Sequence, residues 1–239
     1  MHSYFTQFRA RSDELEHLDK GDYTPAEYEG CLIELRRVNR WLGDARAFQR
    51  TMLAGIQRSA LTEFSALDVG AGSGELLRVA ARWAGAKGKR ARLCGLEYNP
   101  RSARAIAEES LEFPEIKALQ GDAFALPFAD DAFDYVFSSL FTHHFRDEQL
   151  VKILREMARV ARRGVFVIDL HRHPVAYIFY TTIGRLFLRN RLIREDGALS
   201  ILRSFKPDEL RELAEKAGLA HQIKRCFPYR LVLFCPAKG

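Results

Sequence analysis

The chain of 239 residues has no Cys-x-x-Cys pair, and its four cysteines, Cys31, Cys94, Cys226 and Cys235, show no paired metal-ligand spacing. No basic-then-apolar signal segment opens it, so a reducing cytoplasm is the expected location. Apolar runs of the roughly 20 residues that a bilayer span requires are missing too. The longest, "PVAYIFYTTIGRLFL" from Pro174, is broken by Arg185, and no transmembrane segment is expected. There is also no basic block. The net charge of +6 comes from arginines scattered among acids in amphipathic segments, so no nucleic-acid partner is expected. Internal repeats, low-complexity tracts and dividing linkers are absent, which leaves one well-packed domain with a small appendage. Nothing in the sequence speaks to oligomeric state.

What is present begins as helix. Thr24-Pro25-Ala26-Glu27 has the form of a capping box, after which Tyr28, Leu32, Leu35, Val38 and Leu42 recur at helical spacing. Gly43 stops that run, and Asp44 is read as the cap of a second helix reaching about Arg58. Residues 1–60 are therefore assigned to an N-terminal helical cap and 61–239 to the main domain. In the latter, "SALDV", "ARLCGL", "EIKAL", "FDYVFSS" and "GVFVIDL" alternate mostly with helical stretches. That alternation predicts an α/β fold, a Rossmann-like doubly wound and mostly parallel sheet with crossover helices. Asp147 is expected to cap a helix ending at Gly164. An insertion or lid of about 171–205 precedes a helix starting at Pro207, where Lys206 is a poor cap. "HQIKRCFPYRLVLFC" reads as a final antiparallel hairpin with Pro228 near its turn.

The stretch "LDVGAGSGEL" follows the first strand and opens a helix, a context in which Gly70, Gly72 and Gly74 let a ligand approach the main chain. It is not the dinucleotide fingerprint, because the third glycine would fall at Glu75, whose charge opposes a pyrophosphate. A zwitterionic ligand without phosphate fits better. Asp68 ends the first strand, where it could take an ammonium; Glu97 ends the second, where it could accept both hydroxyls of a ribose; and Asp122 follows the third, where it could accept from an adenine amino group.

The order D-V-G-A-G-S-G, then Glu97, then G-D-A and "LPFADDAFDYVFSSLFTHHF", resembles the class I S-adenosylmethionine-dependent methyltransferases over about residues 64–170. With "ELRRVNRWLG" before and "IDLHRHPVAY" after, the chain is similar to bacterial small-molecule members of that family found with polyketide and phenolic-lipid pathways. The resemblance implies S-adenosylmethionine as cofactor. It places Asp68, Gly70, Ala71, Gly72 and Gly74 beside the methionine part, Glu97 on the ribose, Asp122 with Ala123 at the adenine, Tyr98 at the base edge and Ser138 beneath the methionyl group.

Methyl transfer from a sulfonium is an in-line displacement that gains most from alignment and exclusion of water, so a base is optional. For a phenolic acceptor an imidazole can take or orient the proton. "THHF" and "DLHRHP" follow the fourth and fifth strands, which makes His171 and His144 the candidate catalytic residues, with His143 lining the site. Arg172 is a candidate to orient an acidic substrate group, and Trp41, Tyr177, Tyr180 and Phe187 offer an apolar acceptor surface. No metal is expected: His171, His173 and Asp169 have a conceivable spacing, but this displacement needs no Lewis acid. The expected reaction is O-methylation of a small aromatic or polyketide-derived molecule in secondary metabolism. C-methylation of a quinone-like ring, an RNA or protein methyltransferase, and a cofactor-binding protein without turnover stay open.

Overall fold

The computed structural model describes residues 6–24, 26–27, 30–31, 34 and 43–237. Seven strands form one sheet: β1 Glu63–Val69, β2 Arg90–Glu97, β3 Ile116–Gln120, β4 Phe133–Ser139, β5 Ala161–Leu170, β6 Gln222–Cys226 and β7 Arg230–Pro236. Their order is β3-β2-β1-β4-β5-β7-β6. The first five are parallel, and β7 runs antiparallel between β5 and β6, with Pro228 in the hairpin turn as expected. The fold is the expected Rossmann-like one.

Period-two side-chain alternation divides the core into two layers. On one face Leu67, Val69, Val165 and Val167 meet helix α5 (Asp147–Val160) through Leu150, Ile153, Leu154 and Met157, and helix α8 (Pro207–Lys216) through Leu210 and Leu213. On the other face Phe64, Ala66, Phe166 and Ile168 meet helix α3 (Glu75–Ala86) through Leu77, Ala80 and Ala84, and Ile106 of helix α4 (Pro100–Glu109). That second face also receives helix α2, residues 44–58, built from Asp44–Phe48, a π-helical turn Gln49–Leu53 and Ala54–Arg58. Phe48, Met52, Leu53 and Ile56 are fully buried there, and the Phe48 ring lies 4.8 Å from that of Phe137 on β4. The last quarter of the expected 1–60 cap thus packs in one core with the sheet. Buried apolar side chains at 48, 52, 53 and 56 leave α2 no other place to go.

Several helix ends differ in detail from the sequence reading. Gly43, not Asp44, is the N-cap of α2, and Asp44 is instead buried and ion-paired with Arg230 of β7. At α5 the N-cap is Arg146, whose amide donates to the Gln149 side chain at 3.1 Å, and Asp147 is the first helical residue. That helix stops at Val160 rather than Gly164, because Ala161 pairs with Phe133 on β4 and Arg162 and Arg163 reach Asp134 at 3.4 and 3.0 Å. Sheet pairing overrides helical propensity over those residues. At α8 the Lys206 amide donates to Glu209 at 2.8 Å, which supplies the cap that the Lys206 side chain cannot.

The Thr24 capping box forms reciprocally: the Thr24 amide donates to Glu27 at 2.9 Å and the Glu27 amide to the Thr24 hydroxyl at 3.2 Å. Pro25, Tyr28, Leu32, Leu35, Val38, Trp41 and Leu42 lie outside the described residues. Before the box comes a short helix, α1 (His17–Lys20). The insertion is helical: α6 covers residues 174–187 as Pro174–Phe179, a π-helical turn Tyr180–Gly184 and Arg185–Phe187, and α7 is Arg191–Arg203. Among the described residues no helix is long and apolar enough to cross a membrane.

Truncating the Phe48 side chain tests whether α2 is core. Phe48→Ala should lower unfolding stability by about 3–5 kcal/mol, read from urea denaturation. A loss below about 1 kcal/mol would mark α2 as an appendage.

Candidate active site

β1 sits where the strand order reverses, with β2 on one side and β4 on the other, so the carboxyl ends of these strands open a crevice at the topological switch point. The chain leaves β1 through Gly70, Gly72 and Gly74, all at positive φ (74°, 57° and 79°). The turn is fastened to β2: the Gly70 and Ala71 amides donate to the Leu96 carbonyl at 2.9 and 3.2 Å, and the Gly72 amide donates to the Glu97 carboxylate at 2.8 Å. The Gly121 amide donates to the Glu97 carbonyl at 2.9 Å, which draws the β3 tip, with Asp122 and the buried Ala123, beside it. Asp122 closes a local turn by accepting from the Phe124 amide at 2.9 Å, and Tyr98 is exposed.

Two buried oxygens at this crevice, Asp68 Oδ1 and Ser138 Oγ, lack a hydrogen-bond partner. Burial, with the nearby Glu97 charge, pushes the Asp68 carboxyl well above the usual carboxylate range. Burial likewise raises Glu97, against the amides of Gly72, Asn99 and Tyr98. An unpaired buried carboxylate is costly. A ligand ammonium would relieve that cost, so the acids, the orphan hydroxyl and the glycine turn fit the amino-acid and ribose ends of S-adenosylmethionine.

A second cluster lies at the adjoining strand tips. A Cβ built on Gly70 would fall 2.2 Å from the Phe141 ring, so the segment after β4 packs directly on the glycine turn. That segment continues into a 3-10 turn, Thr142–His144. Asp169, wholly buried at the end of β5, accepts from the Thr142 hydroxyl at 2.6 Å, the His143 amide at 3.1 Å and the Leu170 amide at 2.7 Å. Its other contact is with His143 Nδ1 at 2.7 Å. Burial alone would raise the Asp169 pKa, but His143 and these donors hold it at about 2. An anionic Asp169 requires the proton on His143 Nδ1, which turns Nε2 toward Glu16, 3.7 Å away. The rings of His143 and His144 stack at 4.3 Å. His144 Nδ1 meets Asp19 at 3.2 Å; burial works to lower its pKa, and the carboxylates of Asp19 and Glu16 raise it. The Phe141 ring against Gly70 is the contact that sets this turn beside the glycine crevice.

Other expected site residues fall elsewhere. His171 is bridged to Phe205 and half-buried, and burial together with His173, Arg225, Arg172 and Lys206 lowers its pKa to about 4. Arg172 is held by internal contacts. It is buried, gives hydrogen bonds to the Phe8 and Ser204 carbonyls and pairs with Glu209, so its charge is spent on fastening the N-terminal segment and α8. Tyr177 packs edge-on against Phe8 at 5.5 Å, the Tyr180 hydroxyl donates to the Ile193 carbonyl, Phe187 is exposed, and Trp41 lies outside the described residues. Asp169 belongs with His143 rather than with His171 and His173. Glu16 and Asp19 went unnoticed in the sequence, where nothing local ties the N-terminal segment to the β4 tip.

Residues 67–168 match the family model described as "Methyltransferase domain". A demethylmenaquinone methyltransferase of Bacillus cereus (strain AH187) is 32% identical over 158 residues, which span 59% of this chain and 65% of that relative. A SAM-dependent methyltransferase from Aquifex aeolicus has a similar structure, with a TM-score of 0.56 and 17% identity, covering 73% of this chain and 82% of that one. The CurJ carbon methyltransferase gives a TM-score of 0.65 at 10% identity, covering 100% of this chain and 67% of that one. Residues 67–168 thus match a methyltransferase domain, and the chain shares its fold with solved S-adenosylmethionine-dependent methyltransferases.

Asp169 makes the cluster's stability dependent on acid. Its folded pKa of about 2 lies below the unfolded value of about 3.9. The resulting stabilisation is full above about pH 4 and lost as pH falls toward 2, on the order of 2 kcal/mol. Urea midpoints across that range should fall more steeply for the wild type than for Asp169→Asn. Parallel slopes would show that Asp169 is not the titrating group.

Proposed function

We propose that the protein transfers a methyl group from S-adenosylmethionine to a small phenolic or polyketide-derived ring, at oxygen. The observation that carries this reading is the His143–His144 pair, fixed by Asp169 and Asp19 beside the glycine turn. When bound, the cofactor supplies an electrophilic methyl group on sulfur. In this reading Asp68 and Ser138 hold its amino-acid end, with Gly70, Ala71, Gly72 and Gly74 beside it. Glu97 takes the ribose hydroxyls, Asp122 and Ala123 border the adenine, and Tyr98 flanks its edge.

His144 is the base we assign, in preference to His171. A group at about 4 is poorly matched to a phenol near 10, whereas the carboxylates of Asp19 and Glu16 raise His144. His144 Nδ1 already faces Asp19, which would stabilise the imidazolium formed when the phenol gives up its proton. Asp169 fixes the tautomer and orientation of His143, which lines the acceptor side.

C-methylation of a quinone-like ring is the second reading, favoured by the demethylmenaquinone methyltransferases among the relatives. Removing the proton of a ring hydroxyl makes both the oxygen and an adjacent ring carbon nucleophilic, so the same base serves either outcome. NMR of the methylated product separates the two, since a methyl ether and a ring methyl differ in shift.

Two substitutions divide the site. Glu97→Ala should weaken S-adenosylmethionine binding by about tenfold or more in calorimetry, from lost charged hydrogen bonds. His144→Ala should leave that binding intact while lowering turnover of a phenolic acceptor by about 10²–10⁴-fold, followed with labelled cofactor. Full turnover in His144→Ala would remove the base assignment, and absence of any heat with the cofactor would remove the whole reading.

A further inference from the structure

Helix α6 is amphipathic in the wrong sense for a helix of a protein core. Its inner side packs on α7, where Tyr180 donates to the Ile193 carbonyl and lies so close to Gly197 that a Cβ there would clash with the ring. Its outer side carries Val175, Ile178, Phe179, Ile183, Leu186 and Phe187, all exposed, with Leu186 at 81% and Phe187 at 76%. Their spacing of three, one, four, three and one residues keeps them on one face. Among the described residues nothing covers it. A continuous outward apolar stripe of this kind marks an interaction surface.

We propose that α6 docks on the surface of an anionic lipid bilayer. The charge around the stripe selects this occupant: between Asp169 and Glu195 the chain has no acidic residue and five arginines, of which Arg172 is buried on Glu209 and Arg191 pairs with Glu27 and Glu195. Arg189, just beyond Phe187, is exposed, and so is Arg9, next to the Phe8 ring that packs on Tyr177. An apolar helical face flanked by arginine lies in the headgroup region with its apolar residues inserted and its cations on anionic lipid. A second copy of the chain would instead bring the same cationic flanks together. The docking places the insertion, and with it the Asp169–His143 end of the site, at a lipid surface, and it does not depend on which acceptor is methylated.

Co-sedimentation with vesicles tests this on the full chain. The protein should pellet with vesicles containing phosphatidylglycerol and remain largely in solution with phosphatidylcholine alone, and added salt should release it. The double variant Leu186→Glu with Phe187→Glu should lose this binding at least about tenfold. Arg189→Glu should lose about fivefold. Leu111→Glu, at an exposed leucine after α4, should bind as the wild type does. Unchanged thermal melting of the variants shows that they fold. Wild-type protein that stays in solution with anionic vesicles overturns the proposal, as does binding that survives the double variant. A dimer in analytical ultracentrifugation that the double variant dissociates also overturns it, by giving the face to a second copy. None of these outcomes touches the assignment of methyl transfer, which is read with soluble cofactor and acceptor.

Discussion

The Asp169 carboxylate organises this molecule. It is wholly buried at the end of β5 and collects the Thr142 hydroxyl, the His143 amide, the Leu170 amide and His143 Nδ1. A buried carboxylate without partners would be expensive, and four donors make it anionic at any ordinary pH. The turn after β4 is thereby held with the His143 carbonyl toward two arginines. That carbonyl accepts from Arg11 at 3.3 Å and from Arg203 at 3.2 Å. One carboxylate thus sets the position of the β4 tip, and through it the N-terminal segment and α7.

The two arginines then bring more charge to the same place. Arg203 is buried, donates to the Glu14 carbonyl and to the His144 carbonyl at 2.6 Å, and sits near Glu16 and Asp19. Glu16, His143 and His144 hold their ligand-capable atoms within 4.8 Å of one another, beneath a segment that begins far away in sequence. Buried ion networks of this sort stabilise little relative to apolar packing, but removing one member leaves its partners uncompensated. Their role is to fix geometry, and here they fix imidazole geometry beside the glycine turn.

Much of the fold was legible because its signals are local. All five parallel strands lie where short apolar runs marked them, the hairpin turns at Pro228, and the reciprocal Thr24–Glu27 bonds form as the spacing required. The glycine turn was legible for the same reason: positive φ at 70, 72 and 74 is a demand on single residues. Asp68, Glu97 and Asp122 followed from their places at strand ends, because a parallel sheet carries those ends to one edge. The helix ends at 147 and 160 were misread by a few residues, since pairing of Ala161 with Phe133 is a contact between strands that no local pattern announces.

The histidines show where local reading stops. Sequence put His143, His144, His171 and Arg172 on one rim by strand order alone, and strand order is as much as it fixed, together with the sheet, the glycine turn and the acids at the strand tips. Tertiary structure decided which imidazole faces a carboxylate and which faces cations: Asp19 and Glu16 raise His144, while His173, Arg225, Arg172 and Lys206 stand around a half-buried His171. It also spent Arg172 on carbonyls and on Glu209, and drew residues 44–58 into the core. Backbone conformation depends on neighbours along the chain, whereas burial and electrostatic environment depend on neighbours in space, and for these residues the two sets hardly overlap.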